Sequence, residues 1–365
     1  MEATFIHRQK TLSEKMLDKN LDVVLVYSNA QDSSDMRYLT GYFPLCGDAL
    51  YLQTPWWRKL LIKFSWDLGR ALLSFDQSEV VISSSFVNDL ESIIGKEKRI
   101  QKIGVVGWEI ITYRLGAFLT EFSGKELINL DPELHALRLI KTQYEIKMIE
   151  KAIEITEEAL KESFQIAGIG TTEKELAAYQ EYLIKKQGAD LAFETVVASG
   201  ENSLKIVSLP TERKLQAGDT VILDTGAKWN GYCSDLTRTL VVGEPTSKQK
   251  EVHQILTHIL DLLLHNIKPG IKAKEVHQMA QDLFQKAGLG KLESRIGHGI
   301  GLDTSLEPLD LQTDEFPLMP GMTFCIEPGY YGQDSGGIRV EDDVLVTAEG
   351  CQRISTLPVE LLIIK

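Results

Sequence analysis

No stretch of this sequence is apolar for long enough to cross a membrane; nothing approaches about 18 uninterrupted apolar residues. The start, Met1-Glu2-Ala3-Thr4-Phe5-Ile6-His7-Arg8, lacks the basic head and apolar core of a secretory signal. Cysteine is scarce. Cys46, Cys233, Cys325 and Cys351 lie far apart with no CxxC pair, which argues against a disulfide scaffold or a structural zinc knot. They are read as reduced thiols of a cytoplasmic protein. Basic clusters are missing as well: 39 Lys and Arg against 52 Asp and Glu leave a net charge of −13, which argues against nucleic acid as a partner. Low-complexity segments and long linkers are absent. What remains is 365 residues, 43% hydrophobic, enough for two well-cored domains.

Carboxylates are plentiful, and some are oddly placed. Gly218-Asp219-Thr220-Val221-Ile222-Leu223-Asp224 runs to Asn230-Gly231 and returns as Tyr232-Cys233-Ser234-Asp235-Leu236-Thr237-Arg238. Farther on, Gly321-Met322-Thr323-Phe324-Cys325-Ile326-Glu327 loops through Pro328 and returns as Ile338-Arg339-Val340-Glu341-Asp342. Each hairpin sets an acid six residues after a glycine and a second acid on the returning strand. Four acids on apolar strands are costly to bury without positive charge among them. Metal is the natural candidate. Asn-Gly predicts a two-residue turn, which makes cross-strand residue numbers sum to 461. Asp224 and Asp235 then become diagonal neighbours about 7–8 Å apart on one face.

The duplication reaches upstream. Gly170-Thr171-Thr172-Glu173-Lys174-Glu175-Leu176 matches Gly270-Ile271-Lys272-Ala273-Lys274-Glu275-Val276 at an offset of 100, and Leu183, Lys186 and Gly188 continue onto Leu283, Lys286 and Gly288. Both segments read as amphipathic helices closed by glycine. We expect two related α+β halves with a site where they meet. Thr142 and Glu145 form a capping box that opens a helix with Ile146, Ile149, Ile153, Leu160 and Phe164 on its apolar face. Upstream, Val23–Tyr27, Val80–Ile82 and Ile103–Val106 alternate with helical stretches in an α/β pattern. The expected domains are 1–131 and 132–365, divided at Asp131-Pro132.

Among seven histidines, His253, His258 and His265 miss the i, i+4 spacing of a helical metal pair. They, with His277, His7 and His135, read as surface or packing residues. His298 differs, because Gly297-His298-Gly299-Ile300-Gly301 allows close backbone approach around an imidazole. One histidine with four carboxylates suits Mn²⁺, Co²⁺ or Zn²⁺. Strand alternation puts Cys233 and Cys325 on the ligand side, where a core-lining role is expected because the carboxylates suffice. The glycine string is GxGxG and not a dinucleotide loop. Asp224-Thr225-Gly226 and Asp334-Ser335-Gly336 echo an aspartic protease pair, but the second lacks an apolar strand before it.

Asp224, Asp235, His298, Glu327 and Glu341 resemble, in that order, the five metal ligands of the pita-bread metallopeptidases, which include methionine aminopeptidase, aminopeptidase P and prolidase. Tyr232–Thr239, Gly297–Asp303 and Gly337–Asp342 are similar to the prolidase and aminopeptidase P branch. Arg37-Tyr38-Leu39-Thr40-Gly41 resembles its N-terminal domain, and Leu137-Arg138-Leu139-Ile140-Lys141-Thr142 its domain junction. The resemblance implies an α/β creatinase-like N-terminal domain and an α+β pita-bread domain with internal pseudo-two-fold duplication. It implies two divalent ions, Mn²⁺ first and Co²⁺ or Zn²⁺ as alternatives. Asp224 would bind one, Asp235 and Glu341 would bridge, and His298 and Glu327 would hold the other. Glu327 would move the proton.

Two departures accompany the likeness. Val207 and Ser305 stand where the family has histidines, and Leu309 where an arginine often follows the proline. The expected activity is hydrolysis of the Xaa-Pro bond in dipeptides or short peptides. The alternatives are a same-fold hydrolase of a small non-peptide C–N bond or a catalytically impaired metal-binding homologue. Lys205, two residues before Val207, is a candidate to stabilise an oxyanion in place of the lost histidine, and Arg339 is a further catalytic candidate. A homodimer is expected from the family's habit and from Trp56-Trp57 in a loop beside Pro55.

Overall fold

The computed structural model describes residues 2–121, 125–304 and 307–364. They divide into two compact units, Met1–Leu137 and Arg138–Lys365. Asp131-Pro132 opens a helix, Asp131–Leu139, and the units part between Leu137 and Arg138. Proline fits there because the first turn of a helix needs no N–H donor from it.

The first unit is built on a six-stranded mixed sheet. Val23–Asn29 pairs antiparallel with Asp48–Gln53, which pairs antiparallel with Arg58–Ile62, and Val80–Ile82 lies parallel at that edge. On the other side of Val23–Asn29, Lys102–Val106 and Glu126–Asn129 add in parallel. Val23, Leu25, Leu50, Leu52, Ile103 and Val105 form the centre of its core. Trp56, at the turn after Asp48–Gln53, is 58% exposed, while Trp57 packs against that core.

In the second unit the duplication is explicit. The helix Glu173–Lys186 has its counterpart in Ala273–Lys286, and Gln143–Ile166 in Ser247–Asn266. Gly170 and Gly270 take φ of 91° and 95°, and their N–H groups donate to Leu215 O and Leu318 O at 3.0 and 2.8 Å. Thr142 caps its helix through the reciprocal bond with Glu145. Small sheets fill the space between. One orders Leu362–Ile364, Leu236–Val242, Thr220–Thr225 and Val196–Ser199; another orders Thr323–Ile326, Asp342–Val346 and Cys351–Arg353. Val252, Leu256, Leu260 and Leu263 follow the helical period and bury against Val276, Phe284, Phe324 and Val344. Each such side chain contributes about 1.5–3 kcal/mol. No helix of the described residues is long and apolar enough to cross a membrane.

Candidate metal centre

The first hairpin closes as its turn dictates. Asn230 and Gly231 take φ of 49° and 93°, Trp229 faces Tyr232, and beyond the tip Asp224 faces Thr237. Every one of these pairs keeps the predicted sum of 461, so Asp224 and Asp235 are diagonal neighbours. The two hairpins then join. Thr237 bridges to Glu341, and Ile326 faces Asp342, so Glu341 arrives at the level of Glu327. One row therefore runs Asp224, Thr237, Glu341, Glu327.

A second row lies two residues along each strand, on the same face. Asp235 N–H donates to Asp343 Oδ2 at 2.9 Å, Asp343 faces Cys325, and Cys325 N–H donates to His298 O at 2.9 Å. Gly297 makes the last pairing possible, since a Cβ there would lie 1.9 Å from Cys325 O. All five expected residues thus share one face, with Asp235, His298 and Glu341 buried and Asp224 and Glu327 half-buried. His298 Nε2 is 3.5 Å from Asp235 Oδ2 and 3.9 Å from Glu327 Oε1. His298 Nδ1 lies 3.1 Å from Gly299 O, which can only accept, so Nδ1 carries the proton and Nε2 turns its lone pair to the acids.

Charge in the cluster is far from balanced. Burial, then Glu341, Asp224, Asp343 and Glu327, push the Asp235 carboxyl well up, and burial with Glu341 does the same to Glu327. Burial and Asp224 raise Glu341 to about 7. Burial also raises Asp224, more than Arg339 lowers it. His298 falls to about 4 through burial and Arg295, so it is neutral at physiological pH. Two arginines face the cluster: Arg295 Nε stands 4.0 Å from Glu327 Oε1, and Arg339 lies within it. The Arg339 guanidinium bonds Asp224 Oδ2, its Nε donates to Thr237 Oγ1 at 3.2 Å, and Thr237 donates to Glu341 Oε2 at 2.6 Å. It also reaches Tyr331 OH at 3.0 Å and Ile206 O at 2.8 Å. Asp224 Oδ1 and Asp343 Oδ1 are buried with no hydrogen-bond partner among the described residues. Crowded acids, orphaned oxygens and a neutral imidazole fit divalent cations.

The structure adds members that the sequence reading passed over. Thr237 and Asp343 each sit two residues from a flagged acid, and strand alternation alone marks them. Cys325, expected to line the core, has its sulfur within 4.8 Å of ligand atoms of Asp235, His298 and Glu341. Lys205 is exposed and donates to Asn202 Oδ1 at 3.0 Å, and among the described residues no hydrogen bond or ion pair joins it to the carboxylates. Val207 is 68% exposed. Ser305 lies outside the described residues.

Fold and site together define a metal-dependent hydrolase. The model of the metallopeptidase family M24 matches residues 147–348, and that of the creatinase/prolidase N-terminal domain matches residues 8–140. The Xaa-Pro dipeptidase of Pyrococcus horikoshii is 32% identical over 351 residues, 95% of this chain and 97% of that protein. Its kind is seen again in the solved prolidase from Pyrococcus horikoshii, with TM-score 0.87 and 31% identity over 98% of this chain and all of that one. An X-Pro aminopeptidase from Thermotoga maritima superposes with TM-score 0.90 and 29% identity over 98% of this chain and 99% of the other. This chain belongs to metallopeptidase family M24, with the pita-bread fold of its prolidase neighbours, and its family implies divalent metal ions.

Proposed function

We propose that this protein hydrolyses the Xaa-Pro bond of dipeptides, using two divalent ions held by Asp224, Asp235, His298, Glu327 and Glu341. Asp224 would hold one ion, His298 with Glu327 would hold the other, and Asp235 and Glu341 would be shared between them. The observation that carries this reading is the two-row face, where these five side chains converge with too little positive charge of their own. When bound, the ions supply Lewis-acid polarisation of the scissile carbonyl and a lowered pKa for the attacking water. Glu327 would accept a proton from the water as a carboxylate base and return it to the proline nitrogen. Arg339 positions Asp224 directly and Glu341 through Thr237. The oxygen-rich donor set favours Mn²⁺, with Co²⁺ and Zn²⁺ next.

The test is hydrolysis by metal-loaded protein of matched Xaa-Pro and Xaa-Ala dipeptides and Xaa-Pro-Yaa tripeptides. We expect Xaa-Pro dipeptides to be cleaved fastest, with kcat of roughly 1–10³ s⁻¹, and chelator to abolish turnover. A second reading, hydrolysis of a small non-peptide C–N bond, draws on exposed Val207 and buried Leu309 at positions where the family carries polar side chains. Metal-replete protein that leaves every Xaa-Pro peptide intact would favour it. We also propose a cytoplasmic homodimer. The support is the four free thiols and the exposed Trp56 and Trp66 of the first unit. Light scattering is expected to give twice the 40.9 kDa chain mass, and a monomer at micromolar concentration would overturn the dimer.

A further inference from the structure

The donors expected from the resemblance are oxygen and nitrogen, yet a sulfur sits among them. Cys325 is fully buried and occupies the centre of the second row, opposite Asp343 on one side and beside His298 on the other. Its Sγ, His298 nitrogen and oxygens of Asp235 and Glu341 all lie within 4.8 Å of one another. Cations of this class hold sulfur at about 2.3 Å and nitrogen or oxygen at about 2.0–2.2 Å, so donors this close converge on one ion with side-chain shifts of about an ångström. A second observation points the same way. Asp343, directly across from Cys325 and 1% exposed, has no hydrogen-bond partner for Oδ1 among the described residues. A buried carboxylate oxygen without a donor calls for a further partner, an ion or a water, at this end of the face.

We propose that Cys325 is a metal ligand whose sulfur joins Asp235, His298 and Glu341 around one divalent cation. This rests on the reading that the carboxylate face binds divalent ions. The thiol proton passes to solvent as the cation binds, so the bound donor is the thiolate. That position then carries nitrogen, oxygen and sulfur, which favours Co²⁺ or Zn²⁺, while the Asp224 side keeps oxygen donors suited to Mn²⁺. Cys325 is thereby a determinant of which metals the enzyme accepts.

Cobalt(II) loading of the full chain separates the two readings spectroscopically. Visible d–d bands report cobalt in the carboxylate site, and a near-ultraviolet sulfur-to-cobalt charge-transfer band reports Cys325. We expect both in the native protein. Cys325→Ser should lose the near-ultraviolet band and keep the visible ones, whereas Cys233→Ser should keep both. The same Cys325→Ser variant should lose roughly tenfold to a hundredfold of Zn²⁺ affinity relative to Mn²⁺. Visible bands without a charge-transfer band in the native protein would overturn the sulfur ligand while leaving the metal site standing. A charge-transfer band that survives in Cys325→Ser would also overturn it. No cobalt bands at all would sink both readings. The native spectrum decides even where a variant fails to fold.

Discussion

Asp235→Ala is expected to lose both metal ions together. Asp235 stands in the second row, diagonally across the hairpin from Asp224 in the first and 3.5 Å from His298 Nε2, with Glu341, Asp224, Asp343 and Glu327 all raising its carboxyl. A group in contact with both halves of a site cannot be removed from one alone. Removing even an outer partner of a metal ligand costs about 10–100-fold in affinity, so a bridging ligand should cost more than roughly 100-fold. The several kcal/mol of transition-state stabilisation that bound ions supply then disappear, which corresponds to about three orders of magnitude in kcat/KM. Elemental analysis after dialysis and steady-state kinetics measure the two effects. Since the change also relieves crowding among buried acids, the variant should unfold no more easily than chelator-stripped native protein. Retention of two ions, or activity within about tenfold of native, would contradict the role assigned to Asp235.

Replacing Glu307 should produce the largest loss of stability. Its carboxylate is 2.5 Å from Arg138 and 3.1 Å from Lys141, and all three side chains are buried. Asp303 N–H donates to Glu307 Oε2 at 3.3 Å, which ties the ion triad to the segment leaving the glycine string. Glu307→Ala removes the acid shared by two buried cations, and breaking a buried pair this way costs about 3–5 kcal/mol. Chemical denaturation measures it. An effect below about 1 kcal/mol would contradict the triad's structural role. The pH dependence has a definite sign. Burial raises the Glu307 carboxyl, but Arg138 and Lys141 outweigh it and hold it below its ordinary 4.5. Its contribution is therefore present above about pH 4.5 and lost as pH falls through the folded value, so native and variant stabilities should converge in that acidic range. Replacing all three charges with apolar residues should recover much of the loss.

Local signals carried much of this far. Asn230-Gly231 fixed a register, and the register fixed the relation of Asp224 to Asp235 across the hairpin. Thr142 with Glu145, and the glycines spaced 100 apart, marked helix ends that the structure keeps. The joining of the hairpins was not legible, because Thr237 and Glu341 meet across 104 positions and no turn residue encodes that pairing. Asp343 and Thr237 consequently went unnoticed, although each belongs to the face. Alternation places Cys325 on the ligand side, but thiols are commonly buried for packing alone, so residue type does not mark it as a ligand. Pro132 served as helix start where sequence suggested a domain edge. Lys205 follows a 3₁₀ turn, Gly200–Leu204, and bonds back to Asn202 within it, a local bond that strand reasoning does not anticipate.

The central claim is that five side chains on one face hold two divalent ions. Anomalous diffraction from crystals of Mn²⁺-loaded protein tests it most directly. Two anomalous peaks are expected about 3.5–4 Å apart, both in contact with Asp235 and Glu341, one with Asp224 and the other with His298 and Glu327. No peak among these residues in fully loaded crystals, or metal bound only elsewhere on the chain, would contradict it.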